Sequence, residues 1–212
     1  MDLAALANAG SVEPTPFESS SGVAGIIGLT HPRREIVEAF IARQFREVHG
    51  AHISVFMPQL LALFDDQGDV RAAVGMRDAG VERLFLEYYL DTSVEQAIAD
   101  RAEPAGTVAV RERIIEIGNL ASIDRCASRH LFKLLARRLS SEDFHWAVFT
   151  GCSSLQRMFS ILGIETVGLG RALQSRLPTD QQTWGGYYED KPHVVAGRVG
   201  LGLRAFDGVL EA

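Results

Sequence analysis

Between Arg113 and Thr150 the sequence reads strand, helix, strand, and this order limits the possible folds more than any other stretch. Arg113 to Ile123 is an apolar, β-branched run (Ile114, Ile115, Ile117) interrupted by one carboxylate, Glu116. Asp124 then precedes a helix that carries Leu131, Phe132, Leu134, Leu135 and Leu139. Phe144 to Thr150 is a second run of strand length, and Ser153 or Ser154 starts another helix, with Leu155, Met158, Phe159 and Leu162 inside and Gly163 as its stop. A strand–helix–strand crossover of this kind belongs to a parallel pair.

The first half has a different pattern. Val23 to Leu29 reads as a short strand, and Thr30-His31-Pro32 opens an amphipathic helix with Ile36, Val37, Phe40, Ile41 and Val48 on one face. Met57 to Asp65 and Val70 to Arg77 flank the turn Asp66-Gln67-Gly68-Asp69 and predict a hairpin. Leu84 to Leu90 is expected to be a further, aromatic-rich strand. Ser93 caps a short helix through Ala102, which Glu103-Pro104-Ala105-Gly106 breaks. Weaker strands follow near Thr166 to Leu169 and His193 to Val199. A hairpin-rich half feeding a βαβα unit implies an α/β (α+β) fold, a mixed sheet with helices packed on it. Residues 1–22, rich in Ser, Pro and Gly from Ser11 onward, are expected to be a flexible leader, and 23–212 a single domain.

Bulk properties remove several classes. A net charge of −6 argues against a nucleic-acid binder that works through a basic face, and Arg137-Arg138 is too small a cluster to reverse that. Cys126 and Cys152 form neither a CxxC pair nor a metal spacing, and the six histidines show no HExxH, so no metal is expected. The N-terminus lacks the basic start of a secretory signal, and no apolar run approaches the ~20 residues of a membrane span, which makes the cytoplasm the expected location and stable membrane insertion unexpected. Gly168-Leu169-Gly170 starts a GxGxxG pattern but lacks its third glycine.

Several segments together carry a resemblance. They are His49-Gly50-Ala51-His52, Met57-Pro58-Gln59-Leu60, Gly75-Met76-Arg77, Phe85-Leu86-Glu87-Tyr88-Tyr89, Glu116-Ile117-Gly118-Asn119-Leu120-Ala121-Ser122, Phe149-Thr150 and Trp184-Gly185-Gly186-Tyr187-Tyr188. In combination, from about Pro32 to Val195, they resemble the bacterial thermostable hemolysin family, which is grouped with the GNAT acyltransferase superfamily and is similar to acyl-homoserine-lactone synthases. The resemblance implies a mostly antiparallel sheet with a central splayed parallel pair, helices on both faces, and a thioester donor in the gap between the splayed strands. It implies N-acyl transfer, from acyl-CoA or the acyl-phosphopantetheine of an acyl carrier protein, to a small amine-type acceptor. A homodimer stays open.

Carried over by position, the donor would lie along Asn119, Leu120, Ala121 and Ile123, with Arg125, Ser128 and Arg129 at its phosphate end. This chain departs from the glycine-rich phosphate turn: Arg125-Cys126-Ala127-Ser128-Arg129-His130 has no glycine, and Asp124 adds a repelling charge. A carrier-bound donor tolerates that better than free acyl-CoA. A carboxylate inside an apolar strand is costly and its pKa is pushed up, which makes Glu116 the candidate general base; the alternative is a solvent-facing or arginine-paired Glu116. Gly118-Asn119 either forms a bulge that frees a backbone N–H toward the thioester carbonyl or simply ends the strand. Tyr188 or Tyr187 would protonate the leaving thiolate. Arg77, Glu87, Phe149, Trp184 and Tyr187 would bind substrate, although Arg77 and Glu87 could instead simply pair with each other. Phe149, Leu155 and Phe159 would line an acyl tunnel and are also ordinary core residues. Cys152, at a strand-to-helix turn, is a weaker candidate for a covalent acyl-cysteine. Two other readings compete: a degenerate domain of the same fold that binds a ligand or partner, and a membrane-damaging protein, for which only the family's name speaks.

Overall fold

A computed structural model describes residues 17–19, 22–102, 109–161, 164–178 and 183–208. The chain runs β1 (Phe17–Ser19), β2 (Gly22–Ile27), α1 (Arg34–His49), β3 (Gln59–Phe64), β4 (Val70–Asp78) and α2 (Val94–Ala102). Then follow β5 (Ile114–Ser122), α3 (Arg125–Ser141), β6 (Trp146–Gly151), α4 (Ser153–Ile161), β7 (Thr166–Arg171), β8 (His193–Arg198) and α5 (Val199–Gly208). Among the described residues the strands form one sheet of eight in the order β1-β2-β3-β4-β5-β6-β8-β7. Every neighbouring pair is antiparallel except β5–β6, the pair joined through α3. Asp124 caps α3 by accepting the Ala127 N–H at 2.8 Å.

Helices cover both faces because successive strand residues point opposite ways. Ile115 and Ile117 face one side, where α3 contributes Leu131, Phe132, Leu135 and Leu139, and Phe159 and Val199 complete the core. Ile114 and Val148 face the other side, against α2 and the 84–90 segment, while α1 covers β2, β3 and β4 beside them. Arg34 ties α1 to the sheet. It is buried and donates to the carbonyls of Ile27, Met57 and Pro58 at 3.3, 2.7 and 3.1 Å.

Three expectations change. Leu84 to Leu90 is not a strand: Phe85–Tyr88 is a 3₁₀ turn. Its cause is Glu87, whose buried carboxylate accepts the N–H groups of Leu84 and Val94 at 3.0 and 3.1 Å and is gripped by Arg111 at 2.7 and 3.0 Å. The Leu84 contact is a local capping box, whereas Arg111, 24 residues away, leaves no local pattern. Phe17–Ser19, expected inside the leader, pairs antiparallel with β2. The final helix α5 has no counterpart in the sequence reading. Gly163 and Glu103 to Gly106, read as a helix stop and a break, lie outside the described residues.

Candidate functional site

The parallel pair opens partway along. Ile114 to Ile117 of β5 pair with Trp146 to Phe149 of β6, and there the pairing ends. β5 continues to Ser122 against β4, while β6 continues to Gly151 against β8. Just past the last shared rung, β5 bulges: Gly118 faces Gly75 and Ala121 faces Ala73, so Asn119 and Leu120 together oppose Val74. Asn119 holds the bulge with φ at 48°, a conformation asparagine tolerates better than most residues, and its Oδ1 accepts the Met57 N–H at 2.8 Å. Met57 also explains Gly75, since a Cβ there would lie 2.8 Å from the Met57 Cβ.

A cavity of about 1110 Å³ passes through this gap. On the α3 side its wall is apolar: Leu120, Phe132, Leu135, Phe149, Leu155 and Phe159. The Phe159 ring meets Phe132 edge to face and Phe149 at a tilt, at centroid distances of 5.5 and 5.1 Å. On the opposite side the wall carries Glu116, Arg77, Phe85, His49, Trp184 and Tyr187. One chamber therefore suits an acyl chain and the other a polar reactant.

Glu116 is 3% exposed and aims its carboxylate at the 3₁₀ turn, where Oε2 accepts the Phe85 N–H at 2.8 Å and Oε1 the Leu86 N–H at 2.9 Å. Its neighbour across the β4–β5 ladder is Arg77, with Nη1 3.8 Å from Oε2. Burial pushes the Glu116 carboxyl up to about 7, although the Phe85 amide, Arg77 and the Leu86 amide each favour the charged form. A group balanced in this way takes and returns a proton near neutral pH.

The aromatic loop docks beside Glu116 because α1 ends there. Gly185 adopts φ 50°, and a Cβ on it would strike the His49 carbonyl oxygen, to which the Gly186 N–H donates at 2.8 Å. This brings Trp184 within 6.0 Å of Phe85, and Tyr187 within 5.3 Å of His49, ring to ring. The Tyr187 hydroxyl donates to the Thr150 carbonyl at 3.2 Å, at the end of β6 that has left β5. Burial raises its pKa, so Tyr187 stays a neutral donor.

At the other mouth, Ser122, Arg125, Ser128 and Arg129 line the cavity. Asp124 has already placed a carboxylate at the N-terminus of α3, where Arg71 approaches its other oxygen at 3.4 Å.

Of the residues singled out from sequence, Glu116, Asn119, Leu120, Ala121, Arg125, Ser128, Arg129, Arg77, Phe149, Trp184 and Tyr187 meet on this one cavity. Three do not. Glu87 is built into the ion pair with Arg111 behind the turn. Tyr188 lies behind the wall with its hydroxyl 2.5 Å from that of Tyr89, so Tyr187 is the tyrosine that faces the gap. Ile123 is 42% exposed and off the cavity, its N–H bonded to the Arg71 carbonyl. Cys152 is on the wall and half-buried. The sequence reading missed Met57, Phe85 and Phe132; Met57 and Phe85 reach the site only through long-range pairing. Among the described residues, no group of three or more His, Cys, Asp or Glu is arranged to hold a metal, and no helix is long and apolar enough to cross a membrane.

Residues 27–203 match the thermostable hemolysin family. Curated protein sequences give no match. The fold is shared with solved structures of low identity. The acyl-homoserine-lactone synthase LasI is 14% identical with a TM-score of 0.60, covering 90% of this chain and 96% of its own. BjaI, a CoA-dependent acyl-homoserine lactone synthase solved with SAM and isopentyl-CoA, is 9% identical at a TM-score of 0.59, covering 90% of each chain. FeeM, an N-acyl amino acid synthase from uncultured soil microbes, is 13% identical at a TM-score of 0.55, covering 85% of this chain and 97% of its own. These likenesses identify a GNAT-like fold.

Proposed function

The chain belongs to the thermostable hemolysin family, and on that premise we propose that it transfers an acyl group from a pantetheine thioester to a small amine. The observation that carries this reading is the end of β5–β6 pairing at Ile117 and Phe149, with Glu116 buried one residue before the gap and a cavity passing through it. The pantetheine arm lies along Asn119 to Ala121, the acyl chain enters the apolar chamber by Phe149 and Phe159, and the amine approaches from the Glu116 side. Glu116 accepts a proton from the amine, nitrogen attacks the thioester carbonyl, the C–N bond forms and the C–S bond breaks. That proton ends on the departing sulfur, to which the Tyr187 hydroxyl offers a hydrogen bond. Backbone at the Asn119–Leu120 bulge polarises the carbonyl.

The donor in this proposal is an acyl carrier protein rather than free acyl-CoA. The helix N-terminus that would attract a pyrophosphate is already satisfied by the Asp124 carboxylate, which repels a second anion. Arg125, Arg129, Lys133 and Arg137 follow at every fourth position of α3, a basic stripe leading from the donor mouth on a chain of net charge −6. Such a stripe suits an acidic partner. The same cap would suit a domain that holds an acyl ligand without transferring it; a carboxyl with a pKa near 7 facing the cavity favours transfer. Octanoyl-loaded carrier protein and octanoyl-CoA, each incubated with an amine panel and followed by mass spectrometry of the amide, test the proposal. Amide formation that is lost in E116Q supports it, and no amide from either donor contradicts it.

A further inference from the structure

We infer that the acceptor is an α-amino acid, held by its carboxylate on Arg77 and by its amine on Glu116. The inference rests on the acyl-transfer reading of the same cavity and names what enters its polar half. Arg77 and Glu116 are register partners across β4 and β5, so their side chains rise together from one face of the sheet. They are near but not bonded: Nη1 is 3.8 Å from Oε2 of Glu116, whose two oxygens each accept one amide, from Phe85 and Leu86, and each keep a lone pair for a further donor. Arg77 Nε is buried and has no hydrogen-bond partner among the described residues; its other ion-pair neighbour, Glu82, stands 3.6 Å away.

Arg77 lines the cavity, and its guanidinium has the fork geometry that matches a carboxylate. Glu82, 45% exposed at its side chain, can turn to water when a ligand carboxylate arrives. Amine and carboxylate of an α-amino acid are separated by a single carbon, which matches two directly paired cross-strand residues. Phe85 and Trp184 wall the space beyond them, with Trp184 5.6 Å from the Tyr187 ring, and so favour a flat apolar side chain over a charged one.

L-Phenylalanine and 2-phenylethylamine differ only in the carboxylate and are the probes. With the same octanoyl donor, the wild type is expected to acylate L-phenylalanine at least about 100-fold better in kcat/KM, as a site left with an unpaired charged donor rejects the shortened analogue. R77Q should bring the ratio to within about threefold, chiefly by raising KM for the amino acid, and R77K should restore part of it. Equal wild-type rates on the two probes, or an R77Q ratio like that of the wild type, overturns the inference while leaving acyl transfer intact. If R77Q does not fold, the wild-type ratio decides. If no amine is acylated, the transfer reading fails, and calorimetric binding of the two probes to the wild type decides the acceptor site: selective binding of L-phenylalanine supports it, and equal or absent binding overturns it.

Discussion

Ile117 is the last residue of β5 to face a partner on β6, Phe149, and beyond that rung this parallel pair comes apart. The bulge at Asn119 and Leu120 begins two residues later and turns β5 away, so the gap is written into the backbone of one strand. Glu116, one residue before the rung, points to the face opposite the apolar chamber lined by Phe149 and Phe159.

Glu116→Gln is expected to lower kcat/KM for amide formation by about 10²–10⁴-fold, the usual contribution of a positioned base. The wild-type rate should rise with pH through about 7 and level off above it, since the base acts ionised and its carboxyl is raised to about 7 from 4.5. Stability should run the other way. A carboxyl raised on folding contributes stability that is fully present below 4.5 and is lost as pH rises through about 7. Thermal melts from pH 4 to 8 should show that loss in the wild type and not in E116Q.

Asp124→Asn keeps a capping side chain on α3 and removes the charge beside the donor mouth. The ratio of kcat/KM for octanoyl-CoA to that for the octanoyl carrier protein should rise by about tenfold, a change on the order of 1.4 kcal/mol. An unchanged ratio contradicts the role given to this cap.

Leu155 is half-buried on the chamber wall beside Gly151, where the β6–α4 connection closes the gap. Leu155→Trp should shorten the chamber and reduce the rate with a dodecanoyl donor by about tenfold or more relative to a hexanoyl donor. Equal loss with both donors would place the acyl chain elsewhere.

Glu87→Gln breaks a carboxylate–guanidinium pair in which Glu87 is buried and Arg111 is partly exposed. Denaturant unfolding should show a loss of about 1–3 kcal/mol, since Arg111 keeps Glu95 at 2.8 Å while the buried Leu84 and Val94 amides lose a charged acceptor. Arg111 and the Leu84 and Val94 amides hold the Glu87 carboxyl below its usual value against burial. The wild type therefore owes this stability to pH above 4.5 and loses it as pH falls further, a loss that E87Q should not show.

The strand–helix–strand unit was legible in sequence because each part signals locally: a β-branched run in β5, an apolar run of strand length in β6, and helical spacing in α3. The same local reading failed at Leu84 to Leu90, where aromatic composition mimics a strand while Glu87, Val94 and Arg111 fix a turn. Glu116 was legible as a carboxylate in an apolar strand. Its holders, the amides of Phe85 and Leu86, were not, since a backbone donor 30 residues away carries no side-chain signature. Tyr187 and Tyr188 are adjacent and alike in sequence, and only the docking of Gly185 on α1 decides which one faces the gap.

A crystal structure with a non-transferable thioether, S-octyl pantetheine, examines the cleft directly. The account predicts its pantetheine arm between Leu120 and Thr150 and its octyl chain against Phe149 and Phe159. A ligand bound outside the gap, or β5 and β6 hydrogen-bonded past Ile117 in the complex, would contradict it.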